Sequence, residues 1–276
     1  MIQYADGVAF DARTPVDVSW LRAYGQVFHV FDRQDSGNLC FGVSGPYGKL
    51  FVKYAGAQPV NYAGRAEDAV AQLKQAVRLY QAFPHRALTP LRTHGAVADG
   101  YAAVFTWVDG PCLRSVPPDA GVLKRLCSLP LQSKLSMLDD LFDLHCLMAE
   151  RGYVAVDFDD SNLLIDFNLG RCYLCDIDRY QLAPFANTRG HMPGRGFFRA
   201  PECYQMGTMI DQRTTVYEMG MLSQLFLGDA DRGWDAPDLL RRVTLAAVNR
   251  RPEDRYPSMR TFLHAWRTAV RSSWIY

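Results

Sequence analysis

The chain has 276 residues, 49% of them hydrophobic, with 30 basic and 29 acidic side chains and a formal charge of +1. That length suits one large domain or two lobes. The composition is globular rather than disordered, and the charge balance gives no bulk reason to expect nucleic acid or an anionic membrane as a partner.

Residues 1–26 read as an N-terminal extension. They begin M-I-Q-Y-A-D-G-V-A-F, with neither a basic nor an apolar leader region, and no run approaches the roughly 18 apolar residues of a membrane span, so a cytoplasmic protein is expected. From 27 to 55 the β-type runs V-F-H-V-F, L-C-F-G-V and K-L-F-V-K-Y-A are broken by D-R-Q-D-S-G-N and S-G-P-Y-G, which predicts a three-stranded antiparallel meander. Residues 65–83 have helical spacing, with Ala69, Leu73, Val77 and Tyr80 on one face and Pro84 as the stop. Two further strands are expected at 88–97 and at Y-A-A-V-F-T-W-V, before Asp109-Gly110. Five strands and one main helix thus make a small lobe, residues 27–110.

Residues 111–276 read as a larger, mainly helical lobe, which makes the fold class α+β and bilobal. Leu135, Leu138, Leu141, Phe142 and His145 mark a helix over 134–150 that Gly152 closes, and His145 on that apolar face is read as a hydrogen-bonded structural histidine rather than a base. The stretches V-A-V-D-F-D-D-S-N-L-L-I-D-F and G-R-C-Y-L-C-D-I-D predict two short strands joined by a turn at F-N-L-G. Cys172 and Cys175 form a C-x-x-C without a second Cys or His pair nearby. They read as buried strand cysteines, and the odd total of seven suits a reducing compartment. Residues 215–227 are apolar nearly all round, which predicts a buried central helix, and amphipathic helices follow at 238–249 and 258–270.

Four aspartates and an asparagine are set into the apolar stretch 154–167. Like charges beside core-type residues repel and lose hydration, unless a cation is meant to sit among them. A lysine in a small-lobe strand, an Asp with an Asn five residues on, and an Asp ending a later strand are the parts that hold a nucleoside triphosphate with magnesium. Lys53, Asp157, Asn162 and Asp176 fit those roles in that order.

On these residues the chain resembles the protein kinase superfamily from about residue 27 to 270, chiefly bacterial eukaryotic-like serine/threonine kinases, with some aminoglycoside-phosphotransferase-like features. A-V-D-F-D-D-S-N at 155–162 resembles the H-R-D-x-x-x-x-N loop, with Leu144-His145 and Gly152 before it. Asp176-Ile177-Asp178 resembles D-F-G, Ala200-Pro201-Glu202 is a literal A-P-E, and R-P-E-D-R-Y-P-S carries the arginine, Arg255, that pairs with that glutamate. The resemblance implies an ATP- and Mg²⁺-dependent phosphotransferase that moves the γ-phosphoryl group to a hydroxyl, first of all on serine or threonine of a protein. Asp157 would orient or deprotonate the acceptor hydroxyl, Asn162 and Asp176 would hold magnesium, and Lys53 would bind the α and β phosphates. Ser36, Gly37 and Asn38 would cap phosphates, the backbone of Thr106 and Val108 would meet the purine edge, and Phe105 would be the gatekeeper.

The chain departs from the family at several places. R-Q-D-S-G-N has one glycine where the family has three, so a plain hairpin turn stands beside the phosphate-loop reading. Ala76 takes the place of the helix glutamate that pairs with the lysine, leaving Gln72 or Glu67 as candidates. Asp159 replaces a catalytic-loop lysine. Asp178 replaces the glycine of D-F-G, either as a cap of the next turn or at a second metal. Val156 stands where an arginine reads a phosphorylated activation segment, so that segment is expected to need no phosphorylation. Glu202 and Arg255 read as a structural ion pair. Arg189, Arg195 and Arg199 make a basic segment, either simply solvated or recognising an acidic substrate. A small-molecule kinase for an antibiotic or metabolite, and a pseudokinase binding module, are the alternatives.

Overall fold

Short, mostly apolar runs divided by turn residues build the sheet of the first unit in the computed structural model, which describes residues 1–114, 120–228 and 233–273. That unit comprises Met1–Pro84 and Thr89–Asp109. Its elements are β1 (Ile2–Ala5), β2 (Val8–Asp11), β3 (Gln26–Phe31), β4 (Asn38–Gly45), β5 (Gly48–Ala55), α1 (Ala66–Ala82), β6 (Leu91–Val97) and β7 (Gly100–Thr106). β1 and β2 form a hairpin, and the other five strands form one antiparallel sheet in the order β3-β4-β5-β7-β6.

The two faces of that sheet do different things. Leu39, Phe41, Val43, Leu50, Val52, Tyr54, Ala102 and Val104 are buried with Ala5, Phe10, Ala12 and Leu21, so residues 1–26 supply the layer that covers this face. Residues of the opposite parity, among them Phe51, Lys53, Ala103 and Phe105, occupy the other face, where the Tyr80 ring of α1 meets Phe105 at 4.8 Å. α1 buries Ala69, Leu73, Val77 and Tyr80, the stripe its spacing predicts.

The second unit comprises His85–Leu88 and Gly110–Tyr276. Its described elements are α2 (Ala120–Cys127), α3 (Leu131–Glu150), β8 (Tyr153–Val154), β9 (Leu163–Asp166), β10 (Arg171–Leu174), β11 (Gln181–Leu182), β12 (Phe185–Ala186), β13 (Met209–Ile210), α4 (Gln212–Leu227), α5 (Asp238–Ala247) and α6 (Met259–Ser272). α3 and α6 pack through Phe142, whose ring lies 5.0 Å from both Phe262 and Trp266, and α4 is buried along most of its length. Gly152 ends α3 at φ +84, donating its N–H to Ala149 at 3.0 Å. β9 and β10 form the hairpin expected around F-N-L-G.

Three local expectations need correction. The strand expected from residue 88 begins at Leu91. Residues 85–88 belong to the second unit, where the Ala87 carbonyl accepts the Leu174 N–H at 2.7 Å and His85 lies 3.3 Å from Asp143. α2 was not foreseen, since eight residues are too few to show a helical period. The two-residue ladders β8–β11 and β12–β13 carry no alternation at all. The mixed α+β character and the antiparallel sheet are as expected, and among the described residues no helix is long and apolar enough to cross a membrane.

Candidate functional site

The loop after β8 places Asp157 by burying its neighbours. Val154, Ala155, Val156 and Phe158 are all buried, and the Ala155 N–H donates to Thr215 Oγ1 of α4 at 3.0 Å. Phe158 packs edge-on against His145 at 5.3 Å and Phe198 at 5.5 Å. Asp157 is left partly exposed at φ +67, a left-handed backbone that aspartate tolerates better than most residues and that the clamped neighbours hold in place.

The four aspartates of the stretch are each given a partner of their own. Asp157 Oδ2 lies 3.1 Å from Arg179 Nε. Asp159 is an N-cap: its Oδ1 accepts the Ser161 N–H at 2.7 Å and its hydroxyl, while Asn162 Oδ1 accepts the Asp159 N–H at 2.9 Å. Asp160 pairs with Arg195 at 2.6 Å, and burial, then the Asp159 carboxylate, raises its pKa from the ordinary aspartate value. Asp166 accepts the N–H groups of Asn168 and Leu169, both at 2.9 Å, and shapes the β9–β10 turn. Dispersal onto separate partners therefore relieves the crowding that the sequence implies.

The open end of the β9–β10 hairpin sets the backbone of Asn162 against Cys175, the residue before Asp176. Leu163 pairs with Leu174, and one step further the Cys175 N–H donates to the Asn162 carbonyl at 2.8 Å, so Asp176 follows directly. Asp176 Oδ1 accepts the Asp178 N–H at 3.1 Å, starting a tight turn in which the Tyr180 N–H returns to the Ile177 carbonyl at 3.1 Å. The Tyr180 hydroxyl donates to His145 Nε2 at 2.8 Å, and His145 Nδ1 donates to the Leu141 carbonyl at 2.7 Å. Burial lowers the pKa of His145 to about 4, so it is neutral near pH 7 and is the structural histidine its position predicts.

Among the described residues no group of three or more His, Cys, Asp or Glu is gathered to hold a metal. Asn162 and Asp176, whose Oδ1 atoms each accept one backbone N–H, could offer at most two hard oxygen donors. That number fits magnesium, which keeps waters and phosphate oxygens as its other ligands. Cys172 is buried on β10 and burial pushes its thiol pKa far up, whereas Cys175 lies just past that strand and is only partly buried, which corrects the expectation for it; all seven cysteines are free of disulfides.

Beside Asp157 is a cavity with room for about one water, lined in part by Pro193, Gly194, Arg199, Thr214 and Glu218. Glu218 is 5% exposed, and its Oε2 and the buried Arg199 Nε lack hydrogen-bond partners among the described residues. Burial, then the Glu202 and Asp157 carboxylates, hold the pKa of Glu218 well above the ordinary carboxylate value, against the opposing Arg255. The basic segment is tied down rather than loose. Arg195 is on Asp160, and Arg199 bonds the Gly194 carbonyl and lies 4.9 Å over the Tyr204 ring.

The other candidate residues lie in the first unit. Lys53 is 6% exposed on β5, opposite Cys40 and Ala103. Ala76 is buried, and Glu67 is exposed and 3.3 Å from Arg65. In the turn before β4, Asn38 is buried and its Nδ2 donates to Ser36 Oγ at 3.2 Å. Gly37 has φ +82, and a Cβ there would stand 2.6 Å from the Ala69 Cβ and 2.8 Å from the Tyr62 ring, so backbone and packing both demand this glycine. Phe105 is buried. Thr106 donates its N–H to Pro90 at 2.9 Å, and among the described residues Val108 makes no hydrogen bond.

Sequence reasoning passed over Arg179 and Glu218. Arg179 has the sole signal of directly following D-I-D, and Glu218 that of a single acid inside an apolar helix. Compared with known proteins, the chain matches no family model and no curated protein.

Proposed function

We propose that the chain is a phosphotransferase of protein-kinase fold, using ATP and magnesium to phosphorylate a hydroxyl, first of all of serine or threonine in a protein. One observation carries the reading: at the open end of a hairpin the Asn162 carbonyl accepts the N–H of Cys175, the residue before Asp176, and Asn162 itself follows by five residues an aspartate held in a left-handed backbone. Magnesium, when bound, would supply charge neutralisation along the phosphates. Asn162 and Asp176 would hold it, and Lys53 would steady the α and β phosphates. Asp157 would accept the acceptor's proton. Thr106 and Val108 would meet the purine, with Phe105 behind it, and Ser36, Gly37 and Asn38 would cover phosphates. Catalysis would come from positioning and charge rather than from covalent chemistry by the protein.

One observation favours the pseudokinase reading: Ala76 takes the place of the glutamate and Glu67 is occupied with Arg65. The small-molecule reading gains nothing from the cavity beside Asp157, which has room for about one water and none for a metabolite. A γ-phosphate transfer assay against a protein mixture and an antibiotic and metabolite panel separates the three. Label is expected on protein and is expected to fall about 10²- to 10⁴-fold in Asp157→Ala. Nucleotide binding with label on nothing would replace the proposal with a binding module.

A further inference from the structure

Asp159 stands where the kinases that this chain resembles have a lysine. Its side chain is spent on capping Ser161, so residues 157–162 bring no cation to the proton acceptor. Arg195 is engaged by Asp160, and Arg199 is folded back on the Gly194 carbonyl and Tyr204. Arg179 alone of these arginines is paired with Asp157, its Nε 3.1 Å from Oδ2, and among the described residues no second carboxylate pairs with it. The turn that presents it is secured at both ends. Asp178 hangs on the Asp176 carboxylate, and Tyr180 is buried with its hydroxyl on His145.

We infer that Arg179 is a further catalytic residue, whose guanidinium bridges Asp157 and the phosphoryl group in transfer and takes over the part of the missing lysine. The inference rests on the phosphotransferase reading. In the step, the acceptor oxygen forms a bond to the γ-phosphorus as its proton passes to Asp157. The bond from that phosphorus to the β,γ-bridging oxygen breaks, and its electron pair leaves with the nucleoside diphosphate. An oxygen within hydrogen-bond reach of Asp157, about 2.6–3.2 Å, sets the phosphorus within about 3–3.5 Å of that oxygen in the reactive geometry. A guanidinium already in contact with the same carboxylate is then near enough to offer its remaining N–H donors to the phosphoryl oxygens, where charge gathers during transfer.

Arg179→Met, Arg179→Lys and Arg179→Ala test this in the full-length protein, and since the side chain is 39% exposed the fold is expected to tolerate them. Arg179→Met is expected to lower kcat at least 100-fold with KM for the acceptor little changed, Arg179→Lys to regain part of it, and added guanidinium to rescue Arg179→Ala. A binding readout is independent of turnover. Calorimetry with ATP and ADP, each with magnesium, should show that Arg179→Met loses several-fold of the wild-type preference for the triphosphate. Unchanged kcat together with an unchanged ATP-to-ADP ratio would overturn the inference. If wild-type protein transfers no phosphate, the phosphotransferase reading fails by itself. The ratio then still decides for Arg179: unaltered in Arg179→Met, it removes the phosphate contact too.

Discussion

Burial keeps His145 neutral, and that couples one side chain to the stability of the second unit. Its pKa falls from 6.5 to about 4, mainly through desolvation, so the unfolded chain takes up a proton that the fold refuses. The stability this represents is fully present above about pH 6.5 and is lost as the pH drops from there toward 4, by at most about 3 kcal/mol. Urea unfolding at stepped pH is expected to show that loss in wild type and a flatter profile in His145→Gln. The structural role of His145 was legible, because an imidazole on an apolar helix face has few other uses. Arg179 was not, since an arginine after a turn is indistinguishable in sequence from a solvated one until its carboxylate partner is located.

At the scale of elements, periodicity carried the reading wherever an element is long enough to repeat. β3, β4 and β5 coincide with β-type runs between turn residues, and α1, α3, α4 and α6 with runs of helical or all-round apolar character; the residues expected on the apolar faces of α1 and α3 are buried, as is most of α4. α3 also ends as expected. A Cβ on Gly152 would meet nothing closer than Leu182 at 3.6 Å, so Gly152→Ala isolates the cost of the left-handed backbone. A loss of about 1–2 kcal/mol is expected, read as a lowered denaturation midpoint at unchanged m-value. Residues 1–26 show the limit. Their apolar side chains are too sparse for a period, yet Phe10 and Leu21 are buried against a sheet formed by residues far along the chain.

At the scale of the whole molecule, contacts between distant segments decide what local pattern cannot. Arg255 grips Glu202 through two bonds of 2.7 and 2.9 Å across 53 residues of chain, with both side chains buried and Thr214 also on the carboxylate at 2.8 Å. Removing one partner strands a buried charge. Arg255→Ala and Glu202→Ala are each expected to cost about 3–5 kcal/mol by denaturant unfolding, while Glu202→Met with Arg255→Met together is expected to cost much less than the sum. The pair was legible only through the resemblance that the A-P-E and R-P-E-D-R segments carry, since nothing local to either segment marks Glu202 and Arg255 as partners. Glu218, in the same neighbourhood, was not, because a lone acid in a helix reveals its burial only when α4 is packed.

The amino-acid order by itself determined the kinds and places of the longer elements, the α+β class and the aspartate, asparagine and lysine candidates, since hydrophobic period and turn chemistry act over a few residues. The tertiary structure alone decided how residues 154–167 accommodate four aspartates. Each finds a different partner, an arginine or a backbone N–H, some as much as 35 residues away, and electrostatic relief of that range has no local signature.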